Sequence, residues 1–194
     1  MSAVCAVVSL AHVDQLLLQL RSVRRSIPDD AMCTLVHAFV TSRVDYCNAV
    51  LYGVSAKVAR RLQAVLPAAA RLITVFAEIS TSLRDTLHWL PMSWCIVFKI
   101  ALMAFDCVHS QGPGYFDGII TPVHTFAARD RLQSADQGNV VVPGSRTTRF
   151  NQSSFSSVAP TMWNDLPLEL KNRDIGRQCF KQNLKTWLYD SAYS

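Results

Sequence analysis

Two pairs of side chains in this 194-residue chain have the types and spacing that could do chemistry. Asp29 and Asp30 are adjacent carboxylates, and carboxylate oxygens are ligands that Mg²⁺ takes in proteins. Cys33 and His37 stand four residues apart, so one helix face could turn both toward a metal ion. The carboxylates follow Pro28 at a predicted helix start, where acidic side chains offset the helix dipole, and no second ligand pair accompanies Cys33 and His37. We therefore predict no metal site and no cofactor.

The patterns of other catalytic sites are missing from the sequence. The histidines are scattered with no HExxH motif, and no serine stands in Gly-x-Ser-x-Gly. Gly112-Pro113-Gly114 lacks the Gly-Lys-Ser/Thr that completes a phosphate-binding loop, and the six cysteines form no Cys-x-x-Cys pair. We predict that the chain is not an enzyme and has no catalytic residue.

Arginine is the residue type that points to a binding partner. The chain carries 14 arginines and 5 lysines and a net charge of +5. The planar guanidinium suits phosphate and carboxylate partners, although ordinary solvated surfaces would also account for this composition. An apolar fraction of 50% with only 17% charged residues excludes wholesale disorder, and no apolar run reaches the length of a membrane span.

Apolar spacing predicts a mainly α fold in which four amphipathic helices form a bundle. The first helix runs from about Val13 to Pro28, the second from Asp29 to Gly53, and the third begins near Ser55 and contains Pro67. The fourth begins at Pro91 and ends at Gly112-Pro113-Gly114. The inward stripe predicted for the second helix is Met32, Leu35, Val36, Phe39, Val40, Cys47, Val50 and Leu51.

The composition changes after residue 121, where polar residues and prolines become frequent. We predict a helical bundle over residues 1–121, followed by a loop-rich segment and a C-terminal helix over residues 122–194. The run Val140–Val142, stopped by Pro143, allows a short β-hairpin, and Asp174 marks the start of the last helix. Three tryptophans are assigned to packing: Trp89, Trp163 and Trp187.

An ordered series of motifs extends along residues 10–188. In chain order they are LRSVRRSIPDD at 20–30, LVHAFVTSRVDYCN at 35–48, LYG at 51–53, LQ at 62–63, AAARLI at 68–73, LHWLP at 87–91, RLQSAD at 131–136, VP at 142–143, RT at 146–147, RF at 149–150, SF at 154–155, AP at 159–160, WNDLP at 163–167 and FKQNLKT at 180–186. This series resembles the segment just after the polymerase core in the reverse transcriptases of non-LTR (LINE-type) retrotransposons of jockey-like and related clades.

The resemblance implies a thumb and C-terminal region without the catalytic part. The family's polymerase signature, with its metal-binding aspartates, and its endonuclease domain are both absent from this sequence. Such a region would bind RNA or an RNA/DNA duplex through the shape of the nucleic acid and its phosphates. Binding of this kind should tolerate different sequences, because the region has few groups that could read base edges. The candidate binding residues are Arg24, Arg25, Arg43, Arg129, Arg131, Arg146 and Arg149.

Two departures from the family pattern keep other interpretations open. Val65-Leu66-Pro67 stands where the family usually has Val-Gln-Asn, and an Arg-rich stretch is reduced to Val75-Phe76-Ala77-Glu78. The alternatives are a helical module that binds a protein partner on its apolar helix faces, and a retroelement relic with no selected function. We expect a reducing compartment, the cytoplasm or the nucleus, because the cysteines fall mostly on apolar helix faces.

Overall fold

The computed structural model describes residues 2–46, 51–73, 89–125, 137–144, 154–172 and 174–193. These residues are mainly helical and include no β-strand, which confirms the mainly α fold. The chain divides into two compact units, Met1–Ile96 and Val97–Ser194. The boundary predicted between residues 121 and 122 rests on composition and stays a prediction. None of the described helices combines the length and the apolar character that crossing a membrane requires.

The described part of the first unit consists of helices and short helical turns. They are α1 (Ser2–Val23), a 3₁₀ turn (Arg24–Ser26), α2 (Asp29–Val36), a π-helical turn (His37–Thr41), α3 (Ser42–Tyr46), α4 (Ala56–Ile73) and the first turn of α5, which spans Met92–Val108. Extended backbone at Ile27 and Pro28 separates the 3₁₀ turn from α2, as the steric restriction before proline requires. The predicted break between the first two helices is therefore confirmed.

The start of α2 has no side-chain capping bond. Pro28 holds the N-cap position without a side-chain hydrogen bond, and Asp29 and Asp30 lie in the first turn. There their negative charges interact favourably with the positive end of the helix dipole. Asp29 accepts a bond from Arg24 instead of from a backbone amide.

A π-helical turn decides which face of the second predicted helix is buried. The buried residues Met32, Val36, Val40 and Val44 are spaced by four, whereas Phe39 is 46% exposed, so its predicted place in the inward stripe is wrong. In an α-helix, residues four positions apart are offset by about 40° around the axis, so a series of them gradually leaves one face. One wider π turn rotates the series back, so these four residues can stay on the buried face. Ser42 helps to open the turn, because its hydroxyl donates to the carbonyl of Ala38 one turn earlier.

The core of the first unit lies where α4 packs against α1 and α2. The predicted third helix is confirmed as α4, which continues through Pro67. Ala69 and Ala70 are fully buried, so the small side chains allow the neighbouring backbones to approach closely. Gln63 on the same helix accepts a hydrogen bond from the backbone N–H of Met92 at 2.8 Å and so satisfies an amide at the start of α5.

Helix α5 ends earlier than the predicted glycine stop. Its last residue is Val108, and Ser110 follows with a left-handed φ of 51°. The amide of Gln111 donates to the carbonyl of Asp106 at 2.9 Å, the long bond of a Schellman cap. Gly112 lies beyond this cap and is not the residue that ends the helix.

The second unit surrounds an aromatic cluster. Besides most of α5 it contains 3₁₀ turns at Gly114–Phe116, Val123–Thr125 and Leu168–Lys171, helix α6 (Phe155–Asp165) and helix α7 (Arg177–Tyr193). The rings of Phe105 and Phe180 stack with centroids 4.4 Å apart, and Trp163 lies 6.0 Å from Phe180. These three side chains are completely buried, so the prediction that Trp163 packs in the interior is confirmed.

The valine run allowed a hairpin, but within residues 137–144 the structure has one isolated antiparallel bridge, between Val140 and Pro122. On its other side Val140 is bonded to a side chain: its N–H donates to Asn164 Oδ1 at 2.9 Å, and its carbonyl accepts from Asn164 Nδ2 at 3.0 Å. The amide of Asn164 thus takes the place of a neighbouring strand. On that side the N–H and C=O of Val140 are therefore not free to pair with a hairpin strand.

Burial raises the pKa of the Cys107 thiol to about 11, and the charge of Asp106 adds to the rise. The neutral thiol is therefore favoured, and at pH 8 its thiolate fraction is about a hundredfold below that of a thiol with a pKa of 9.0. The greater nucleophilicity of a more basic thiolate recovers about tenfold, so we expect iodoacetamide to alkylate Cys107 about tenfold more slowly than such a thiol. Peptide mapping against pH measures this rate. A rate that stops rising near pH 9 would contradict the raised pKa.

Candidate nucleic-acid interface

A cleft of about 820 Å³ opens on the first unit, and four arginines line it. We call it the arginine cleft. It lies beside the C-terminal halves of α1 and α4 and the 3₁₀ turn that follows α1. Its lining residues are Asp14, Leu17, Leu18, Arg21, Ser22, Arg24, Arg25, Ala68, Arg71 and Leu72.

Local sequence explains why the arginines stand at this cleft. Arg21 lies in the last turn of α1 and Arg71 in the last turn of α4, where basic side chains offset the negative end of the helix dipole. Arg24 and Arg25 follow in the 3₁₀ turn. The packing of α1 on α4 then brings residues some fifty positions apart to one surface.

Arg24 is held by the protein itself. Its Nη2 lies 2.5 Å from Asp29 Oδ1, its Nη1 donates to the carbonyl of Ile27 at 3.2 Å, and its Nε is buried without a partner. Its side chain is only 18% exposed. These bonds stabilise the turn before α2, so Arg24 shapes the cleft more than it offers a free charge.

The remaining arginines give the cleft its charge. Arg21, Arg25 and Arg71 are exposed, and no ion pair among the described residues engages them. Asp14, the one carboxylate among the described lining residues, lies 3.7 Å from the guanidinium of Arg61 outside the cleft. No other described residue of the lining therefore offsets the charge of the three exposed guanidiniums, an arrangement that attracts anions.

The predicted binding residues have three different outcomes. Arg24 and Arg25 line the arginine cleft, whereas Arg43 is exposed on α3 and is not among the lining residues. The other four lie outside the described residues: Arg129, Arg131, Arg146 and Arg149.

Arg21 and Arg71 were not predicted as binding residues. Arg21 precedes Arg24 and Arg25 by three and four positions, a spacing that places side chains on one helix face, so the sequence carried a signal for it. Arg71 belongs to the AAARLI motif but is distant in sequence from the others. Only the contact of α1 with α4 brings it to the cleft.

Asp29 and His37, each from one of the two pairs considered as metal ligands, make contacts with other side chains. Asp29 pairs with Arg24, and the ring of His37 packs edge-on against Trp89 with centroids 5.5 Å apart. Trp89 itself is buried, in keeping with its assignment to packing. In the part of the chain that the structure describes, no three His, Cys, Asp or Glu side chains come together as a metal site.

Comparison with known proteins yields no relative. The chain matches no protein-family model, no curated protein and no solved structure at a significant level. The resemblance to a reverse transcriptase segment therefore stays a prediction from the quoted motifs, and the case for a function rests on the residues of the arginine cleft.

Proposed function

We propose that this protein is a non-catalytic fragment of the LINE-type reverse transcriptase kind that binds RNA or an RNA/DNA duplex through the arginine cleft. One observation carries the proposal: Arg21, Arg25 and Arg71 are exposed in one cleft, and Asp14 is the single carboxylate among the described residues that line it. A guanidinium presents donors in a fixed fork that matches a phosphate. A phosphate backbone is the partner that supplies such anions at regular intervals.

The composition of the cleft favours binding that tolerates any sequence. The described residues that line it include no aromatic ring on which a base could stack, and no Asn or Gln that could pair with a base edge. Leu17 and Leu18 add apolar surface to the lining and cannot read a base edge. Contacts to phosphate and sugar fix the position of a nucleic acid without reading it.

The salt dependence of binding tests this proposal. Each phosphate contact releases counterions, so three arginines should produce a log–log slope of affinity against salt of about −2 to −3. Replacing Arg21 and Arg71 together by alanine should flatten that slope by about 1.4 to 1.8 and weaken all sequences alike. A fluorescence titration with structured RNA at several salt concentrations measures both effects.

Arg60→Ala is the matched control, because Arg60 is exposed on α4 and lies outside the cleft. This variant should keep the slope of the native chain. An unchanged slope in the Arg21→Ala, Arg71→Ala variant would contradict the proposal. So would the absence of binding tighter than about 10⁻⁴ M at low salt, which would leave the protein-binding module and the relic as interpretations.

A protein partner is the second candidate, and Leu18 is the observation that favours it. This side chain lines the cleft and is 68% exposed, so an acidic amphipathic helix could place its apolar face there. Leu18→Ala separates the candidates. It should leave RNA affinity within about twofold, because phosphates gain nothing from an exposed leucine, whereas it would strongly weaken a helix seated on the cleft floor.

A further inference from the structure

A second cavity, of about 190 Å³, lies within the unit Val97–Ser194 and is separate from the arginine cleft. Its wall includes the end of α5, the turn Val123–Thr125, helix α6 and the turn Leu168–Lys171. The side chains that matter here are Val108, His109, Pro122, His124, Trp163 and Lys171. Drug-sized ligands occupy about 300 to 1,000 Å³, so this cavity suits a smaller molecule.

His109 lines this cavity with its ring. Its Nδ1 lies 3.0 Å from the carbonyl oxygen of Phe105, and since a carbonyl only accepts, Nδ1 carries a proton. In this tautomer Nε2 is an acceptor, and it is buried without a hydrogen-bond partner. The ring cannot turn away cheaply, because it stacks on Phe105 with centroids 3.9 Å apart. His109 therefore gives the wall a fixed ring and no donor for an anion.

Lys171 supplies a positive charge to the same wall. It is only 7% exposed, and its Nζ donates to Asn139 Oδ1 and to the backbone carbonyl of Asn164, both at 3.0 Å. An ammonium group has three donors, so these bonds use two of them. Burial lowers the pKa of Lys171, while the charge of Asp165 acts in the opposite direction. Among the described residues that line the cavity there is no carboxylate, so this part of the wall favours a negatively charged guest.

The rest of the wall is apolar. Val108 and Pro122 contribute aliphatic surface, and Trp163 contributes its ring, because its Nε1 already donates to the carbonyl of Gly138 at 2.9 Å. A water molecule takes about 30 Å³ of liquid, so the space corresponds to a guest of roughly six to ten non-hydrogen atoms. A charged end and an apolar body are both accommodated.

We propose that this cavity binds a small organic carboxylate. The carboxylate lies toward Lys171, whose ammonium group has one donor left, and the apolar body packs against Val108, Pro122 and Trp163. This site is independent of the arginine cleft and of the nucleic acid proposed to bind there.

Benzoate is a probe of this size and charge, with benzyl alcohol and benzylamine as its neutral and cationic counterparts. In titrations followed by ligand-observed NMR on the full chain, benzoate should bind about tenfold or more tightly than either counterpart, since one charge-assisted bond is lost with the alcohol. Lys171→Met should reduce benzoate to the level of benzyl alcohol. Lys185→Met, an exposed lysine on α7, should change nothing.

Two further variants keep the test decisive if Lys171→Met fails to fold. Val108→Phe fills the cavity and should abolish binding of both benzoate and benzyl alcohol, while Arg21→Ala with Arg71→Ala should leave benzoate binding intact. The proposal is overturned if benzoate fails to bind, if it binds no better than benzyl alcohol, if Val108→Phe leaves binding unchanged, or if the arginine variant removes it.

Discussion

Replacement of Trp163 by alanine is expected to lower the free energy of unfolding by about 3 to 5 kcal/mol, the range for truncation of a buried aromatic side chain. The indole is fully buried beside Phe105 and Phe180, and its Nε1 donates to the carbonyl of Gly138. The variant therefore loses apolar contacts, leaves a cavity and strands a carbonyl. Denaturant unfolding of the native and variant chains measures the loss.

Two other substitutions separate the parts of this effect. Trp163→Phe keeps a ring but removes the bond to Gly138, and it should cost about 1 kcal/mol for that bond in addition to the smaller ring's lost contacts. Trp187→Ala is the matched control, because Trp187 is half-buried on α7 and should cost clearly less than Trp163→Ala. A loss below about 0.5 kcal/mol for Trp163→Ala would mean that the ring is not part of the core.

Loss of the ion pair between Asp106 and Arg177 is expected to have the second largest effect. Arg177 donates from Nε to Asp106 Oδ1 at 2.6 Å and from Nη2 to Oδ2 at 2.9 Å, and this bond raises the pKa of Arg177. The Asp106 side chain is 12% exposed and that of Arg177 is 48% exposed. Arg177→Met should destabilise by about 2 kcal/mol, less than the loss of a fully buried pair, because it leaves a carboxylate in a largely dry site.

A double-mutant cycle isolates the pair. With Asp106→Asn and Arg177→Met we expect a coupling of about 1.5 to 3 kcal/mol, the range for hydrogen bonds between charged groups. The Asp14–Arg61 pair, at 3.7 Å with both side chains about half exposed, is the internal comparison and should show about 0 to 1 kcal/mol. Equal couplings in the two pairs would contradict the view that burial and bidentate geometry strengthen the first.

The helices were predictable because the signals that make them are local. Each signal involves only residues close together in the sequence: Pro28, the acidic pair after it, and the apolar period of residues 56–73. Helices α2 and α4 occur where these signals predict them. The burial of Trp163 was also predictable, since a large ring between Pro160 and Pro167 has few other places to go.

The same local signals failed at two places. Phe39 fits the α-helical stripe, but the π-helical turn rotates it to the surface. The valine run fits a strand, but the side chain of Asn164, which comes some twenty residues later, occupies the edge of Val140.

The sequence by itself determined that this chain is mainly helical, where α2 and α4 begin, and that most of its basic residues are arginines. The tertiary structure decided which arginines share a surface and which polar atoms meet a cavity. Helix formation depends on residues within a turn or two, whereas the arginine cleft needs Arg21 and Arg71 side by side and the small cavity needs His109 near Lys171. Those pairs lie far apart in sequence, and only the burial of apolar faces between helices brings them together.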